Sequence, residues 1–330
     1  MARQREDVRN LIHTPAELAT NHLIDYKRRA AGGGVTFGIP AIDRFVIPMQ
    51  PGDMSCIIAR PGHGKTTLLA RAAQHEADEI NRRGTQESEC VVYVTWETSA
   101  EELVNLFYAA SDPAITGSDL SWGRTPVEQI EHKAAKFPVR KIFVIGHGIA
   151  NAGKPTPRMT PEIVFEAIEA MQEDFGYRPV LMLFDYIQLI PIERNAKKVE
   201  RVGEAANGIK RLAQRVGAPA MVGVQASRAV DARDDKTPEM GDAQWASDIE
   251  QVSDKIFGIW RPIITDNDKG RVIVRDGGEN KGLQITSNLA ILKMRKQRGD
   301  HGQHTWFMHF KPQSLELCEM EIRHTPPEYL

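Results

Sequence analysis

Residues 59–66 read A-R-P-G-H-G-K-T and stand between an apolar run, 54–59, and a run of helical character, 66–83. No other segment constrains the chain as strongly. Gly62 and Gly64 permit a tight turn whose N–H groups converge on an anion. Lys65 can reach the β and γ phosphates of a nucleotide, and the Thr66 hydroxyl can hold Mg²⁺. The helix beyond adds its positive N-terminal end. The phosphate-binding pattern G-x-x-x-x-G-K-[S/T] is met except at its first glycine, where Ala59 supplies another small residue. The bland alternative is a glycine-rich strand-to-helix turn that binds nothing; the motif and its flanks agree on the sharper reading. The expected nucleotide-binding segment is Ala59, Arg60, Pro61, Gly62, His63, Gly64, Lys65, Thr66 and Thr67.

From residue 35 onward, strand-like and helix-like runs alternate. Strands are expected at 54–59, 90–95, 142–145, 180–184, 220–224, 255–260, 272–274, 289–294 and 306–310, and helices at 66–83, 100–110, 126–136, 161–175 and 199–216. Helices between short apolar strands imply crossover connections and a mostly parallel sheet. The later strands lack intervening helices, which predicts an antiparallel extension at one edge. Two long loops are expected, 146–160 and the polar stretch 262–287 around 272–274.

Residues 1–34 form a separate segment. Thr14-Pro15-Ala16-Glu17 has the composition of a helix start, with Thr as N-cap, Pro at the first helical position and Glu at the third. Leu11, Leu18, Leu23 and Ile24 are read as one apolar stripe, and Gly32-Gly33-Gly34 ends the segment. The stripe packs either on the main domain or on a neighbouring subunit. The expected organisation is a helix and glycine hinge at 1–34 and a nucleotide-binding domain at 35–330.

Composition sets limits. The 330 residues carry a formal net charge of −2 and a pI of about 6.6. This excludes a strongly basic nucleic-acid-binding chain, so such binding must be local or arise from a ring of copies. Cys56, Cys90 and Cys318 are widely spaced with no C-x-x-C pair, which predicts free thiols and a reducing compartment. No apolar run approaches the ~18 residues that span a bilayer, and the opening M-A-R-Q-R-E-D has no apolar signal core behind it. A cytosolic location without membrane contact is expected.

Three further strand ends bear polar groups. In V-L-M-L-F-D-Y-I-Q-L, residues 180–189, an apolar strand delivers Asp185 at its carboxyl end, where ligands of parallel sheets bind. Asp185 would hold Mg²⁺ through water or through Thr66. In V-V-Y-V-T-W-E, residues 91–97, Glu97 occupies the equivalent position. It is the candidate for orienting the attacking water, the alternative being a charge at the N-terminus of the next helix. The strand at 220–224 leads into Gln225, which could sense the γ-phosphate or hold that water.

In order and spacing these segments resemble the C-terminal RecA-like ATPase domain of DnaB-type replicative helicases, over about 35–310. V-T-F-G-I-P-A-I-D is similar to that family's entry to the P-loop strand, A-R-P-G-H-G-K-T-T to its Walker A, W-E-T-S-A-E-E-L to its catalytic-glutamate motif and F-D-Y-I-Q-L to its Walker B. G-V-Q-A-S-R resembles the sensor-glutamine motif, S-D-I-E-Q-V-S-D the segment S-I-E-Q-D-A-D, and K-M-R-K-Q-R-G the finger strand. The resemblance implies a RecA-like P-loop NTPase, ATP and Mg²⁺ as ligands, and a homohexameric ring moving along single-stranded DNA. It also implies a loader or other replication protein as partner, and Lys296 and Arg298 entering the neighbouring subunit's ATP site. An Arg on so late a strand cannot easily reach its own P-loop, and supplied by a neighbour it would stabilise charge on the transferring phosphoryl group.

Two departures stand out. Only about 34 residues precede the core, so the family's N-terminal helical domain is expected to be missing; the 34 resemble its linker helix. The DNA-contacting loop that often carries Arg-Glu-Ser-Gly reads Gln244, Trp245, Ala246 and Ser247. A cation has gone and an aromatic has appeared, which either stacks on a base or sugar or packs on the adjoining loop. Two competing functions follow: a RecA- or KaiC-like ATPase that remodels DNA or protein without unwinding, and a weakly catalytic module in which ATP only stabilises a ring.

Overall fold

The computed structural model describes residues 12–112, 114–191, 198–243, 246–300 and 303–320. The chain divides into two compact units, Met1–Gly34 and Val35–Leu330.

The first unit holds the helix Pro15–Ala30. Thr14 caps it: its hydroxyl accepts from the Glu17 N–H at 3.3 Å, and the Glu17 carboxylate accepts from the Thr14 N–H at 2.8 Å. Those bonds hold the Glu17 carboxyl below its usual range. Lys27, Arg28 and Arg29 occupy the last turn, where the helix dipole favours cations. The expected single stripe is not formed. At about 100° per residue, Leu23 and Ile24 stand roughly 140° and 240° around the axis from Leu18. Leu11 lies outside the described residues.

The second unit is built on a nine-stranded sheet. In chain order its strands are β1 Met54–Ala59, β2 Glu89–Thr95, β3 Ile142–Ile145, β4 Arg178–Asp185, β5 Ala220–Gln225, β6 Lys255–Trp260, β9 Leu289–Gln297, β10 His304–Lys311 and β11 Glu316–Glu319; β7 Arg271–Asp276 and β8 Glu279–Gln284 form a separate hairpin. The spatial order is β11-β10-β9-β6-β1-β5-β4-β2-β3. The six strands from β6 to β3 are parallel, and β9, β10 and β11 extend the sheet antiparallel. The alternation of runs in the sequence requires this α/β architecture, because parallel neighbours need helical crossovers and helices then cover both faces.

Both faces are buried, which is why the central strands read as continuous apolar runs rather than alternating ones. Ile57, Tyr93, Leu181 and Leu183 point to one face, under the helix Lys65–Arg83 and its Leu68, Leu69 and Ala73. Cys56, Ile58, Val92, Met182 and Phe184 point to the other, under the helices Pro161–Phe175 and Lys198–Val216. Cys56 and Cys90 are buried free thiols and Cys318 is exposed; burial pushes the first two up to about 12, so both are inert. Among the described residues no helix is long and apolar enough to cross a membrane.

The polar stretch 262–287 is not a loop. It contains a short helix, Pro262–Thr265, and the β7–β8 hairpin. Gly277 and Gly278, with φ of 59° and 90°, make its two-residue turn, and positive φ at both positions matches the twist of the flanking strands. Val272, Val274 and Leu283 of the hairpin pack on Trp260, Ile291 and Phe307 of the main sheet. β9 also runs to Gln297, past the expected end at 294. Its polar side chains are satisfied where they point: Lys293 Nζ donates to Asp235 and to the Arg275 carbonyl, and Gln297 Oε1 accepts from the Ile47 N–H at 2.9 Å.

Candidate functional site

β1 lies between β5 and β6, and the chain leaves its carboxyl end through the turn at 60–64 into the Lys65–Arg83 helix. Gly62 and Gly64 have φ of 80° and 100°. A Cβ on Gly64 would also stand 2.4 Å from the Phe310 ring, so this position excludes any side chain. Gly64 is the N-cap and no side chain caps the helix, which leaves its first N–H groups available to an anion.

A cleft of about 470 Å³ opens over this turn. Arg60, Pro61, Gly62, Gly64, Lys65, Thr66 and Thr67 line one side, and Glu97, Tyr186 and Gln225 the other. The expected segment is therefore brought together, with two exceptions. Ala59 is fully buried at the end of β1, and the His63 side chain turns away from the cleft. Its Nδ1 accepts from the Arg261 N–H at 2.9 Å. Burial and the Arg261 charge push its imidazole down to about 4, so the ring is neutral and a fixed acceptor. Arg261 Nη1 donates to the Gly62 carbonyl at 3.4 Å. His63 and Arg261 thus brace the turn from β6. Arg60 is held from the far side by Asp231 and by the Ala226 carbonyl.

Lys65 projects toward the end of β4. Its Nζ stands 3.9 Å from Asp185 Oδ1 and 4.2 Å over the centre of the Tyr186 ring. Gly223 on β5 makes room for it: a Cβ there would lie 2.8 Å from Lys65 Cδ. Asp185 is 1% exposed. Its Oδ2 accepts from the Tyr93 hydroxyl at 3.2 Å, while Oδ1 is buried without a hydrogen-bond partner. An orphaned carboxylate oxygen beside the P-loop, with the Thr66 hydroxyl lining the same cleft, is a hard oxygen donor set that suits Mg²⁺. Burial, with Asp185 next to it, holds the Tyr93 phenol well above its ordinary range, so it stays a donor.

Glu97 follows β2. Thr95 Oγ1 accepts from the Thr98 N–H at 3.1 Å and donates to the Thr98 carbonyl at 2.8 Å, fixing the turn that carries it. The next helix, Ala100–Ala110, is capped by Ser99 and Glu102. That helix already carries Glu101 and Glu102 as negative charges in its first turn, and the Glu97 carboxylate makes no hydrogen bond or ion pair among the described residues. It lies close enough to Tyr186 that, after burial, its charge helps to raise that phenol. Gln188 bonds the backbone of Gln225 twice, Nε2 to the carbonyl and Oε1 from the N–H, each at 3.1 Å, so β5's end is tied to the segment after β4.

Lys296 and Arg298 are not brought to this cleft. Lys296 pairs with Ile256 at the start of β6, whereas the P-loop leaves from the level of Ile259. At ~3.3 Å per residue that is roughly 10 Å along the strand, toward the opposite end of the sheet. Arg298 pairs there with Asp254 at 2.8 Å, and Lys296 Nζ donates to the Glu250 carbonyl at 2.5 Å. Gln244 and Trp245 lie outside the described residues, and Ala246 and Ser247 open the helix Ala246–Val252.

The family model "DnaB-like helicase C terminal domain" matches residues 34–314. The chain belongs to the DnaB-like helicase C-terminal domain family. It is 27% identical over 268 residues to the replicative DNA helicase DnaB of Geobacillus stearothermophilus, covering 79% of this chain and 55% of the relative. It is 25% identical over 276 residues to the replicative DNA helicase DnaC of Bacillus subtilis (strain 168), covering 81% and 57%. The chain thus spans about half the length of the curated relatives it matches. Among solved structures, the ATPase domain of G40P superposes with a TM-score of 0.74 at 17% identity, covering 94% of this chain and all of that one. A DnaB-like replicative helicase, described with its interactions with primase, superposes with a TM-score of 0.70 at 17% identity, covering 91% and 66%. At that identity the structures speak for the fold.

Within this DnaB-like domain, motif reading passes over Tyr186, which lines the cleft, and over Tyr93, Gln188 and Arg261, which bond to Asp185, Gln225 and the 60–64 turn. Tyr186 and Gln188 stand inside the Walker B segment, and their polar side chains at a strand's end were the available signal. Tyr93 and Arg261 carry none, because their partners are far away in sequence.

Proposed function

We propose that the chain is an ATP-driven, ring-forming DNA helicase or translocase of the DnaB type, acting in the cytoplasm as a homohexamer on single-stranded DNA, with a loader or other replication protein as partner. The observation that carries this is the division of the site. Lys65, Thr66, Asp185, Glu97 and Gln225 share one end of the sheet, while Lys296 and Arg298 stand at the other. A head-to-tail ring brings the second set of one copy to the first set of the next.

In this reading the P-loop N–H groups and Lys65 hold the ATP phosphates. Thr66 and Asp185 hold Mg²⁺, which when bound neutralises developing phosphate charge. Glu97 orients the attacking water. Lys296 and Arg298 of the next copy stabilise the transferring phosphoryl group. Gln225 is wired to the end of β4 through Gln188 and leads directly into the segment running to 244–247, so phosphate state at the site can move that segment against DNA.

The test is ATP turnover with and without single-stranded DNA, across protein concentrations that span assembly. DNA should stimulate turnover, and Arg298→Ala should abolish the stimulation while ATP binding survives. Turnover indifferent to DNA would instead assign a remodelling ATPase, with the altered 244–247 segment as the reason.

A further inference from the structure

Asp185 is assigned a ligand by its motif, but the motif does not say what holds its carboxylate. β2 and β4 are parallel neighbours, with Tyr93 opposite Leu183 and Thr95 opposite Asp185. Residues two apart on a strand share a face, so Tyr93 and Asp185 are diagonal neighbours on one face, within reach of an aromatic side chain. It is the face under the P-loop helix. Tyr93 is 1% exposed, and its hydroxyl donates to Oδ2 of Asp185 at 3.2 Å. Among the described residues this is the one hydrogen bond that Asp185's side chain makes. The other oxygen, Oδ1, is buried and unpartnered, 3.9 Å from Lys65 Nζ. A buried carboxylate with a single donor is under-satisfied, and the oxygen in need of a partner is the one turned toward Lys65.

We infer that Tyr93 is a positioning residue for the divalent cation: by holding Oδ2 it fixes the carboxylate's rotation, so that Asp185 offers Oδ1 to the nucleotide-bound metal. The inference rests on the nucleotide–Mg²⁺ reading above. Hydrogen bonds that orient metal-binding groups from behind are typically worth about 10- to 100-fold in metal affinity. Phenylalanine at this position keeps the ring and removes only the donor, leaving the carboxylate free to turn.

The experiment compares wild type, Tyr93→Phe, Asp185→Asn and the double variant as full-length chains. Binding of a fluorescent ATP analogue is measured in EDTA and then during Mg²⁺ titration, with Mn²⁺ binding to the protein–nucleotide complex followed by electron paramagnetic resonance. Tyr93→Phe should leave metal-free nucleotide affinity unchanged and raise the Mg²⁺ and Mn²⁺ midpoints by about tenfold. Turnover should return close to wild type at saturating Mg²⁺. In the Asp185→Asn background the same substitution should add nothing, because its route runs through that carboxylate. An unmoved metal midpoint overturns the inference, as does an equal loss of metal-free binding, an additive effect in the double variant, or a Tyr93→Phe chain that no longer folds; each would make Tyr93 a packing residue. Wild type that binds no metal–nucleotide complex would sink the nucleotide–Mg²⁺ reading as well, whereas a tight wild type with an unshifted Tyr93→Phe sinks this inference alone.

Discussion

At the scale of single residues, the candidate site separates side chains held by protein partners from one that is not. His63, Arg261, Gln188 and Tyr93 each commit a side-chain polar atom to a protein partner, whereas the Glu97 carboxylate commits none among the described residues and lines the cleft. An uncommitted carboxylate on a turn locked by Thr95 is suited to orient water. Glu97→Gln keeps the shape and removes the negative charge. The expected result is kcat lower by roughly 100- to 10,000-fold, the usual span of general-base contributions, with ATP affinity little changed. Unaltered turnover in a steady-state assay would remove Glu97 from the mechanism.

At the scale of elements, the β7–β8 hairpin shows how tertiary contact makes a strand from an unpromising sequence. E-N-K-G-L-Q has one apolar residue, Leu283, and no alternation, so β8 is illegible by itself. It exists because β7 offers a ladder, Gly277–Gly278 supplies the turn, and Leu283 reaches the cluster around Trp260 and Phe307. β11, E-L-C-E, is illegible for the same reason, with Leu317 its single buried side chain. The contribution of the hairpin is measurable. Leu283 is 5% exposed, and Leu283→Ala should lower stability to urea by about 2–4 kcal/mol through lost burial and a cavity. ATP turnover should persist, since the hairpin lies apart from the cleft. A loss below ~1 kcal/mol would mean that the hairpin is only loosely seated.

At the scale of the whole molecule, the proposed ring would complete each nucleotide site with Lys296 and Arg298 of the next copy, which makes activity a property of assembly in that reading. The proposed ring can be tested by mixing. Lys65→Ala chains lack a working P-loop but keep Arg298; Arg298→Ala chains have the converse defect. Each alone should be nearly inactive. Mixed at equal amounts before assembly, about a quarter of head-to-tail interfaces should unite an intact P-loop with an intact Arg298, and ATPase activity should reappear. A mixture as inactive as its components would place hydrolysis within a single chain and defeat the trans arrangement.

The sequence alone determined what is encoded locally. A glycine turn between a strand and a helix, a carboxylate at the end of an apolar run and a Thr-Pro-x-Glu helix start each depend on neighbours within a few residues, where backbone geometry and side-chain period dominate. Lys65, Asp185 and Glu97 could therefore be named before any fold was known. Tertiary structure decided the pairings. Tyr93 meets Asp185 across 92 residues, Gln188 meets Gln225 across 37, and His63 meets Arg261 across 198. These depend on which strands are neighbours and in what register, and a shift of one residue would turn every such side chain to the opposite face. The same register puts Lys296 and Arg298 at the far end of the sheet. Local chemistry shows that they are cations, and the lateness of their strand already argues against reach to their own P-loop; the direction of β9 shows which end of the sheet they occupy.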